Sequence, residues 1–225
     1  MAGEIIHWNI NGLKSKHSEN YKNKIVALTS ILENINSTYI LNVQETHISN
    51  HSDFPKKLKV YSHMYHCVST YSNNADPYSG IFTFIRKTET LIKTETLVAG
   101  RLAYIKIQNA ANKEITNIFS IYCSPSDSVK QKHLITKIRE KIMLDDLENC
   151  ILLGDFNFVT SILDRNSQRL NRIDTETLKT WNPFENDFCL QDCFRLTNPG
   201  RRLYTFGSRS DKKNQVKNRS SIYVF

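Results

Sequence analysis

Short β-prone apolar runs follow one another at regular steps along this chain, with helical patterns between them. This alternation constrains the fold most, because strands and helices that alternate bury their apolar faces in shared layers. Apolar residues at helical spacing predict a helix over 25–35 and a second one, capped by Asp127 or Ser128, with an apolar face over 134–142. A third helix is predicted around 175–181. The predicted strands are 5–10, 39–43, 60–68, 80–86, 91–98, 102–107, 115–122, 150–156 and 221–225. We therefore predict an α/β sandwich, with residues 1–225 forming a single domain.

The chain is basic, with a formal net charge of +8 and a pI of about 9.2. This excess favours a polyanionic partner such as nucleic acid or an anionic membrane. Nucleic acid is the favoured interpretation, and a merely basic protein is the alternative. The sequence contains no apolar run of the roughly 18 residues that a transmembrane helix needs. We expect a nucleic acid as the partner and no membrane association.

Five cysteines occur in the chain. Cys189 and Cys193 are four residues apart, but no second pair completes a zinc pattern. The number is odd and no signal peptide precedes the first strand pattern. We interpret all five as reduced thiols in an intracellular protein.

The apolar run from Ile151 to Leu153 predicts a buried strand. Gly154-Asp155-Phe156-Asn157 follows it directly and would lie at the end of that strand. Ligands of α/β sheets gather at such strand ends. A carboxylate and an amide there can accept from a water and donate to a phosphate oxygen. The alternative is a strand-end turn in which Asp155 acts only as an Asx cap.

Three further strand patterns end in polar residues. Glu45 lies in Gln44-Glu45-Thr46-His47, and a carboxylate at that point suits Mg²⁺, which takes one or two carboxylates and retains waters. Asn9 follows Trp8, and Tyr122 precedes Ser124 and a proline turn. Each alone is more often structural than functional, but four polar strand ends in one chain indicate a site.

These segments resemble a known family. Residues 9–13 (NINGL), 44–47 (QETH), 120–122 (SIY), 153–157 (LGDFN) and 163–166 (LDRN) have the order and spacing of the endonuclease/exonuclease/phosphatase superfamily. Asp164-Arg165 and Tyr204-Thr205-Phe206 add a similarity to the apurinic-type endonuclease domain of non-LTR retrotransposons. The resemblance covers nearly the whole chain.

The resemblance implies a four-layered α/β sandwich, with two mixed sheets packed face to face between helices. It also implies Mg²⁺-dependent nicking of DNA, with Mn²⁺ as a substitute cofactor. By position, Glu45 would hold the metal, assisted by Asn9. Asp155 would orient or deprotonate the attacking water, Asn157 would place the phosphate, and Tyr122 would support it.

The chain also departs from the family pattern. Ser220 stands where the family has an aspartate, and the sequence stops before the Ser-Asp-His segment that carries a site histidine. All seven histidines lie at or before position 133, and His47 is a family feature outside the core set. We expect a domain truncated at its C-terminus, without its last strands, and impaired in activity. The alternatives are a non-catalytic nucleic-acid-binding remnant and a phosphodiesterase acting on another substrate.

Basic residues near the end of the chain are candidates for DNA contact. The resemblance places this region near DNA, where lysine and arginine bind phosphate, and a solvated loop is the alternative. The predicted nucleic-acid-binding residues are Arg165, Thr205, Lys212, Lys213, Lys217 and Arg219. The resemblance further implies a monomer located in the nucleus.

Overall fold

The structure, a computed structural model, describes residues 4–13, 19–34, 38–165, 169–201, 206–207, 216–218 and 221–224. Beyond residue 201 it describes the backbone but not the side chains. The chain divides into two units, Met1–Tyr122 and Cys123–Phe225.

The first unit begins with a mixed four-stranded sheet. Strands β1 and β2 run parallel because helix α1 connects them, and the remaining neighbours are antiparallel in the order β1-β2-β4-β3. Helix α1 buries Ile25, Leu28 and Leu32 in the apolar cluster that covers one face of this sheet. The elements are β1 (Glu4–Asn9), α1 (Glu19–Glu33), β2 (Thr38–Gln44), α2 (Lys56–Lys59), β3 (Tyr65–Thr70) and β4 (Ile81–Arg86).

Three antiparallel strands complete the first unit. They are β5 (Glu89–Val98), β6 (Leu102–Asn109) and β7 (Ile115–Tyr122), and they pack face to face against the first sheet. Between the two layers, the Ser120 hydroxyl donates to Asn42 Oδ1 at 2.7 Å. The Thr83 hydroxyl lies 3.1 Å from the Ser120 hydroxyl oxygen. All three side chains are buried, so these bonds satisfy polar groups inside the sandwich.

The second unit combines strands and two long helices. Strand β12 lies between β8 and β9 and is antiparallel to both, while α3 packs against α4. Trp181 of α4 is fully buried and makes edge-on contacts with Phe156, Phe158 and Phe184. The elements are α3 (Ser128–Asp145), β8 (Cys150–Asp155), α4 (Arg172–Asp187), β9 (Gln191–Asp192), α5 (Cys193–Thr197), β10 (Phe206–Gly207), β11 (Val216–Asn218) and β12 (Ser221–Val224).

Several predicted boundaries are confirmed and one strand is corrected. Asp127 caps α3 as predicted, accepting from the backbone N–H groups of Val129 and Lys130. Helix α4 is longer than the predicted 175–181, because it begins with a capping box at Asn171 and runs to Asp187. The predicted strand 60–68 is wrong in its first half, since Val60–His63 forms a 3₁₀ turn and the strand begins at Tyr65. Its apolar residues could not distinguish a short helical turn from a strand. One domain over 1–225 remains a prediction.

Candidate active site

Three strand ends of the first unit meet at the carboxylate of Glu45. Because β1 and β2 are parallel, with Asn9 paired to Gln44, Asn9 and Glu45 leave the sheet at the same edge. Asn9 Nδ2 donates to Glu45 Oε1 at 2.9 Å, and the hydroxyl of Tyr122, the last residue of β7, donates to the same oxygen. Among the described residues, Oε2 of Glu45 has no hydrogen-bond partner.

The backbone around Glu45 adopts an unusual conformation. Glu45 and His47 have φ of 53° and 57°, in the left-handed region that non-glycine residues rarely occupy. Hydrogen bonds stabilise this turn, because Gly12 N donates to Glu45 O at 2.6 Å and Thr46 N donates to Gly80 O at 3.1 Å. Gly12 has φ of 87°, and a Cβ there would lie 2.6 Å from His47 Nδ1. Such strain persists where the surrounding structure over-determines it, typically at functional sites.

The orientation of the Asn9 amide is fixed from both ends. Its Oδ1 accepts the backbone N–H of Asn11 at 3.1 Å while its Nδ2 donates to Glu45. Since the amide oxygen is turned toward Asn11, Asn9 orients the Glu45 carboxylate in this arrangement. The sequence suggested that Asn9 assists Glu45 in holding the metal. The structure shows a hydrogen bond between the two side chains, and the role itself stays a prediction.

Lys24 was missed by the sequence analysis. Its Nζ donates to the carbonyl oxygens of Asn11 at 2.7 Å and Gly12 at 3.0 Å. Burial lowers the pKa of Lys24, and the nearby negative charge of Glu45 raises it in part. In the sequence, Lys24 is only a lysine one turn before Leu28 on a predicted helix. Nothing in that position indicates a contact with residues 9–13.

The donor set at Glu45 fits a hard divalent cation. Within the described part of the chain, no cluster of three or more His, Cys, Asp or Glu could enclose a metal. Mg²⁺ does not need such a cage, because it binds through one or two carboxylates and retains water and substrate oxygens. The unengaged Oε2 of Glu45 is a donor of this kind, whereas a structural zinc site would need four nitrogen or sulfur ligands.

In the second unit, Asp155 and Asn157 form a tight turn after β8. Asp155 Oδ1 accepts the backbone N–H of Asn157 at 3.1 Å, which is the Asx arrangement that the sequence allowed as an alternative. Asn157 has φ of 51°, and its Nδ2 donates to the carbonyl of Cys123 at 2.9 Å. Cys123 N in turn donates to Asp155 O at 2.8 Å. The two candidate side chains are therefore held together in one hydrogen-bonded turn.

A buried glutamine from α3 supports this turn. Gln131 Nε2 donates to Ser124 O at 2.6 Å and to Asn157 O at 3.3 Å, while its Oε1 accepts the hydroxyl of Thr177. Gln131 and Thr177 are fully buried. In the sequence, Gln131 lies three positions before Leu134, the first residue of the predicted apolar face. Because glutamines are mostly exposed, its residue type did not point to a buried contact.

Comparison with known protein families decides the classification. The model of the endonuclease/exonuclease/phosphatase family matches residues 6–211, more than half of the chain. The chain belongs to this family. Its members are typically hydrolases that act on phosphodiester bonds and generally use divalent metal ions.

Solved structures share the fold of this endonuclease/exonuclease/phosphatase chain at low sequence identity. AP endonuclease LMAP from Leishmania major is 16% identical with a TM-score of 0.74, over 98% of this chain and 78% of that one. The catalytic domain of APE2 from Xenopus laevis is 18% identical with a TM-score of 0.67, over 98% and 81%. The endonuclease domain of TRAS1, a telomere-specific non-LTR retrotransposon, is 10% identical with a TM-score of 0.66, over 99% and 85%.

These likenesses confirm the predicted α/β sandwich with two mixed sheets and flanking helices. At such identities they show the fold alone. In the part of the chain that the structure describes, no helix is both long enough and apolar enough to cross a bilayer.

Arg165, a predicted nucleic-acid contact, is engaged by a buried carboxylate. Its Nε and Nη2 donate to Asp174 at 2.9 and 2.6 Å. Asp174 is fully buried and also accepts the backbone N–H of Val159 at 3.2 Å and of Asn171 at 3.0 Å. These contacts favour a structural part for Arg165, and its binding of nucleic acid stays a prediction that they do not support.

The other predicted contacts lie near the end of the chain. Lys217 is on β11, where only the backbone is described. The positions outside the described residues are Thr205, Lys212, Lys213, Arg219 and Ser220.

Proposed function

We propose that this protein is a divalent-metal-dependent DNA endonuclease of the non-LTR retrotransposon type. One observation carries the proposal: two donors from different strands, Asn9 and Tyr122, hold a single oxygen of Glu45. Among the described residues, that arrangement leaves Oε2 of the same carboxylate without a hydrogen-bond partner, and we propose this oxygen as the metal ligand. Mg²⁺ is the proposed cofactor and Mn²⁺ its substitute.

Glu45 is the proposed metal ligand. A metal bound there would neutralise the negative charge that develops on the phosphate and on the leaving oxygen during cleavage. Asn9 and Tyr122 keep the carboxylate from rotating, since ligands oriented by hydrogen bonds bind metals more tightly than loose ones.

We further propose that Asp155 orients or deprotonates the attacking water and that Asn157 places the scissile phosphate. The Asn157 amide nitrogen carries two hydrogens and donates one of them to Cys123 O. The second hydrogen is the proposed donor to a phosphate oxygen. Support of the phosphate by Tyr122 is also proposed, and it would require the single hydroxyl hydrogen that Tyr122 donates to Glu45 Oε1 in this structure.

DNA is the proposed partner, on the basis of the +8 charge. The same proposal includes a monomeric state and a nuclear location. It also includes phosphate contacts by Thr205, Lys212, Lys213, Lys217 and Arg219. Impaired activity, expected from Ser220, also stays a prediction.

The test is nicking of supercoiled plasmid in the presence of Mg²⁺ or Mn²⁺. Glu45→Gln keeps the shape of the side chain and removes its charge, so we expect nicking to fall to background while the unfolding temperature stays near that of the wild type. Glu95→Gln is the matched control, because Glu95 lies on β5 in a solvent-exposed pair with Lys93.

Other outcomes separate the alternatives. A protein that shifts DNA in a gel without ever nicking it would be a binding protein and not a nuclease. Preferential hydrolysis of a small phosphodiester over plasmid would identify a phosphodiesterase with another substrate. Nicking that persists in Glu45→Gln would overturn the proposed metal site.

A further inference from the structure

We infer that Asp76 and Arg101 are positioning residues, which hold the Tyr122 phenol on Glu45 and thereby tune the metal site. This inference rests on the proposed function. Neither residue belongs to a motif on which the resemblance was based.

Arg101 contacts Tyr122 in two ways through its side chain. The guanidinium carbon lies 4.2 Å from the centre of the Tyr122 ring, and Nη1 donates to the Tyr122 carbonyl at 3.4 Å. The two backbones are also joined, because Tyr122 N donates to Arg101 O at 2.8 Å. The ring of Tyr122 is thus held against a planar cation.

Asp76 fixes the guanidinium in this place. Arg101 Nε and Nη2 donate to the two carboxylate oxygens of Asp76 at 2.5 and 2.8 Å, a bidentate geometry. The Arg101 and Asp76 side chains are only 12% and 25% exposed, so water screens the pair less than a surface pair.

The loop that carries Asp76 is itself ordered by hydrogen bonds. Asp76 N donates to Asn73 Oδ1 at 2.9 Å, and the Ser79 hydroxyl donates to Asp76 O at 2.8 Å. The next residue along the chain, Gly80, donates to Gly100 O at 2.9 Å and so ties the loop to the turn before Arg101. The carboxylate is therefore presented to Arg101 by a closed loop.

Two physical effects reach Glu45 through Tyr122. A cation over the ring face withdraws electron density from the phenol, which makes its O–H a stronger donor to Glu45 Oε1. The same contact restricts rotation of the ring, so the hydroxyl stays where the carboxylate needs it. Asp76, Arg101, Tyr122 and Glu45 form one chain of contacts that ends at the proposed metal ligand.

The first experiment measures Mn²⁺ binding to the intact protein by electron paramagnetic resonance. We expect Arg101→Gln to weaken Mn²⁺ affinity by about 10-fold, the lower end of what an outer ligand contact contributes. Arg101→Lys keeps the charge and should restore part of the affinity. Arg139→Gln removes the exposed pair with Asp187 in the second unit and is the matched control.

A double-mutant cycle separates positioning from a general loss of stability. In a Tyr122→Phe background there is no hydroxyl to position, so Arg101→Gln should weaken Mn²⁺ binding much less than in the wild type. An equal weakening in both backgrounds, or none in either, would overturn the inference.

A second measurement does not depend on metal. The ¹³Cζ resonance of Tyr122, assigned through Tyr122→Phe, reports the hydrogen bond to Glu45. Arg101→Gln and Asp76→Asn should move it in the same direction as Glu45→Gln, while Arg139→Gln leaves it in place. An unmoved resonance in Arg101→Gln rejects the positioning chain. Failure of Glu45→Gln to alter Mn²⁺ binding would reject the proposed function instead.

Discussion

The hydroxyl of Tyr122 donates to the carboxylate of Glu45, although the two residues are 77 positions apart in the chain. They meet because β2 and β7 belong to sheets that pack face to face in the first unit. Asn9 donates to the same oxygen from a third strand, β1. The second oxygen, Oε2, is the one that we propose as the metal ligand.

The two donors to Glu45 should contribute separately to metal binding. We expect Asn9→Ala and Tyr122→Phe each to weaken Mn²⁺ affinity by about 10-fold, because each leaves the carboxylate held by one bond. The double variant should be weaker than either single variant. Asn112→Ala, in the exposed turn between β6 and β7, is the control. Calorimetric titration measures all four, and unchanged affinity in both single variants contradicts the proposed geometry.

Gly12 should tolerate no side chain. Gly12→Ala places a methyl group at φ of 87° and 2.6 Å from His47 Nδ1, and we expect it to lower the free energy of unfolding by about 1–3 kcal/mol. Adding His47→Ala should recover only part of that loss, because the contact is relieved and the backbone conformation is not. Urea denaturation measures both variants. Full recovery would show that sterics alone require the glycine.

The polar groups between the two sheets should act as a unit. Ser120→Ala removes a donor from the buried Asn42 Oδ1, and we expect a loss of about 1–3 kcal/mol in unfolding free energy. Thr83→Val removes the second hydroxyl, so the two losses should not be additive. Thermal and urea unfolding of the four proteins in the cycle test this. Additive losses would mean that the hydroxyls do not share an acceptor.

Asp174 should be essential for the second unit. Asp174→Asn leaves the Arg165 guanidinium without its buried partner, and we expect a loss of about 3–5 kcal/mol. Lys137→Met breaks the exposed pair with Glu140 and should change stability by roughly 0.5 kcal/mol or less.

The Arg165–Asp174 pair also tests whether Arg165 contributes to DNA binding. If Arg165 is structural, Arg165→Gln destabilises the protein and leaves the salt dependence of DNA binding unchanged. A decrease of about one in the slope of log affinity against log salt would instead identify a phosphate contact.

Cys150 should react with alkylating agents only at high pH or after unfolding. Burial raises the pKa of its thiol to about 12, so little thiolate exists at neutral pH. The native state holds this proton more tightly than the unfolded chain. The resulting stabilisation is complete below the unfolded pKa of about 8.5 and is lost as the pH rises toward 12. Mass-spectrometric mapping of alkylation rates tests this, with the exposed Cys189 as the reactive reference. Rapid labelling of native Cys150 at neutral pH would contradict it.

Much of the fold was predictable because its determinants are local. Periodic apolar residues marked the helices, and Asp127 marked the start of α3. The stretch 60–68 failed because Val60–His63 forms a 3₁₀ turn whose apolar residues are equally compatible with a strand. Within this turn Tyr61 is buried whereas Val60 is 62% exposed, a difference that the apolar character of both residues does not reveal.

The sequence by itself determined which residues stand near strand ends, and therefore that Asn9, Glu45, Tyr122, Asp155 and Asn157 were candidates. It left open whether Asp155 and Asn157 form an Asx turn, and the structure shows that they do. Only the tertiary structure decided that Asn9 and Tyr122 donate to one oxygen of Glu45, that Lys24 contacts the Asn11 carbonyl and that Arg101 contacts the Tyr122 ring. It also gave Arg165 a buried partner in Asp174. The physical reason is that strand ends follow from short-range periodicity, whereas a hydrogen bond between distant residues depends on register and sheet packing. Those are fixed only when the whole core is buried.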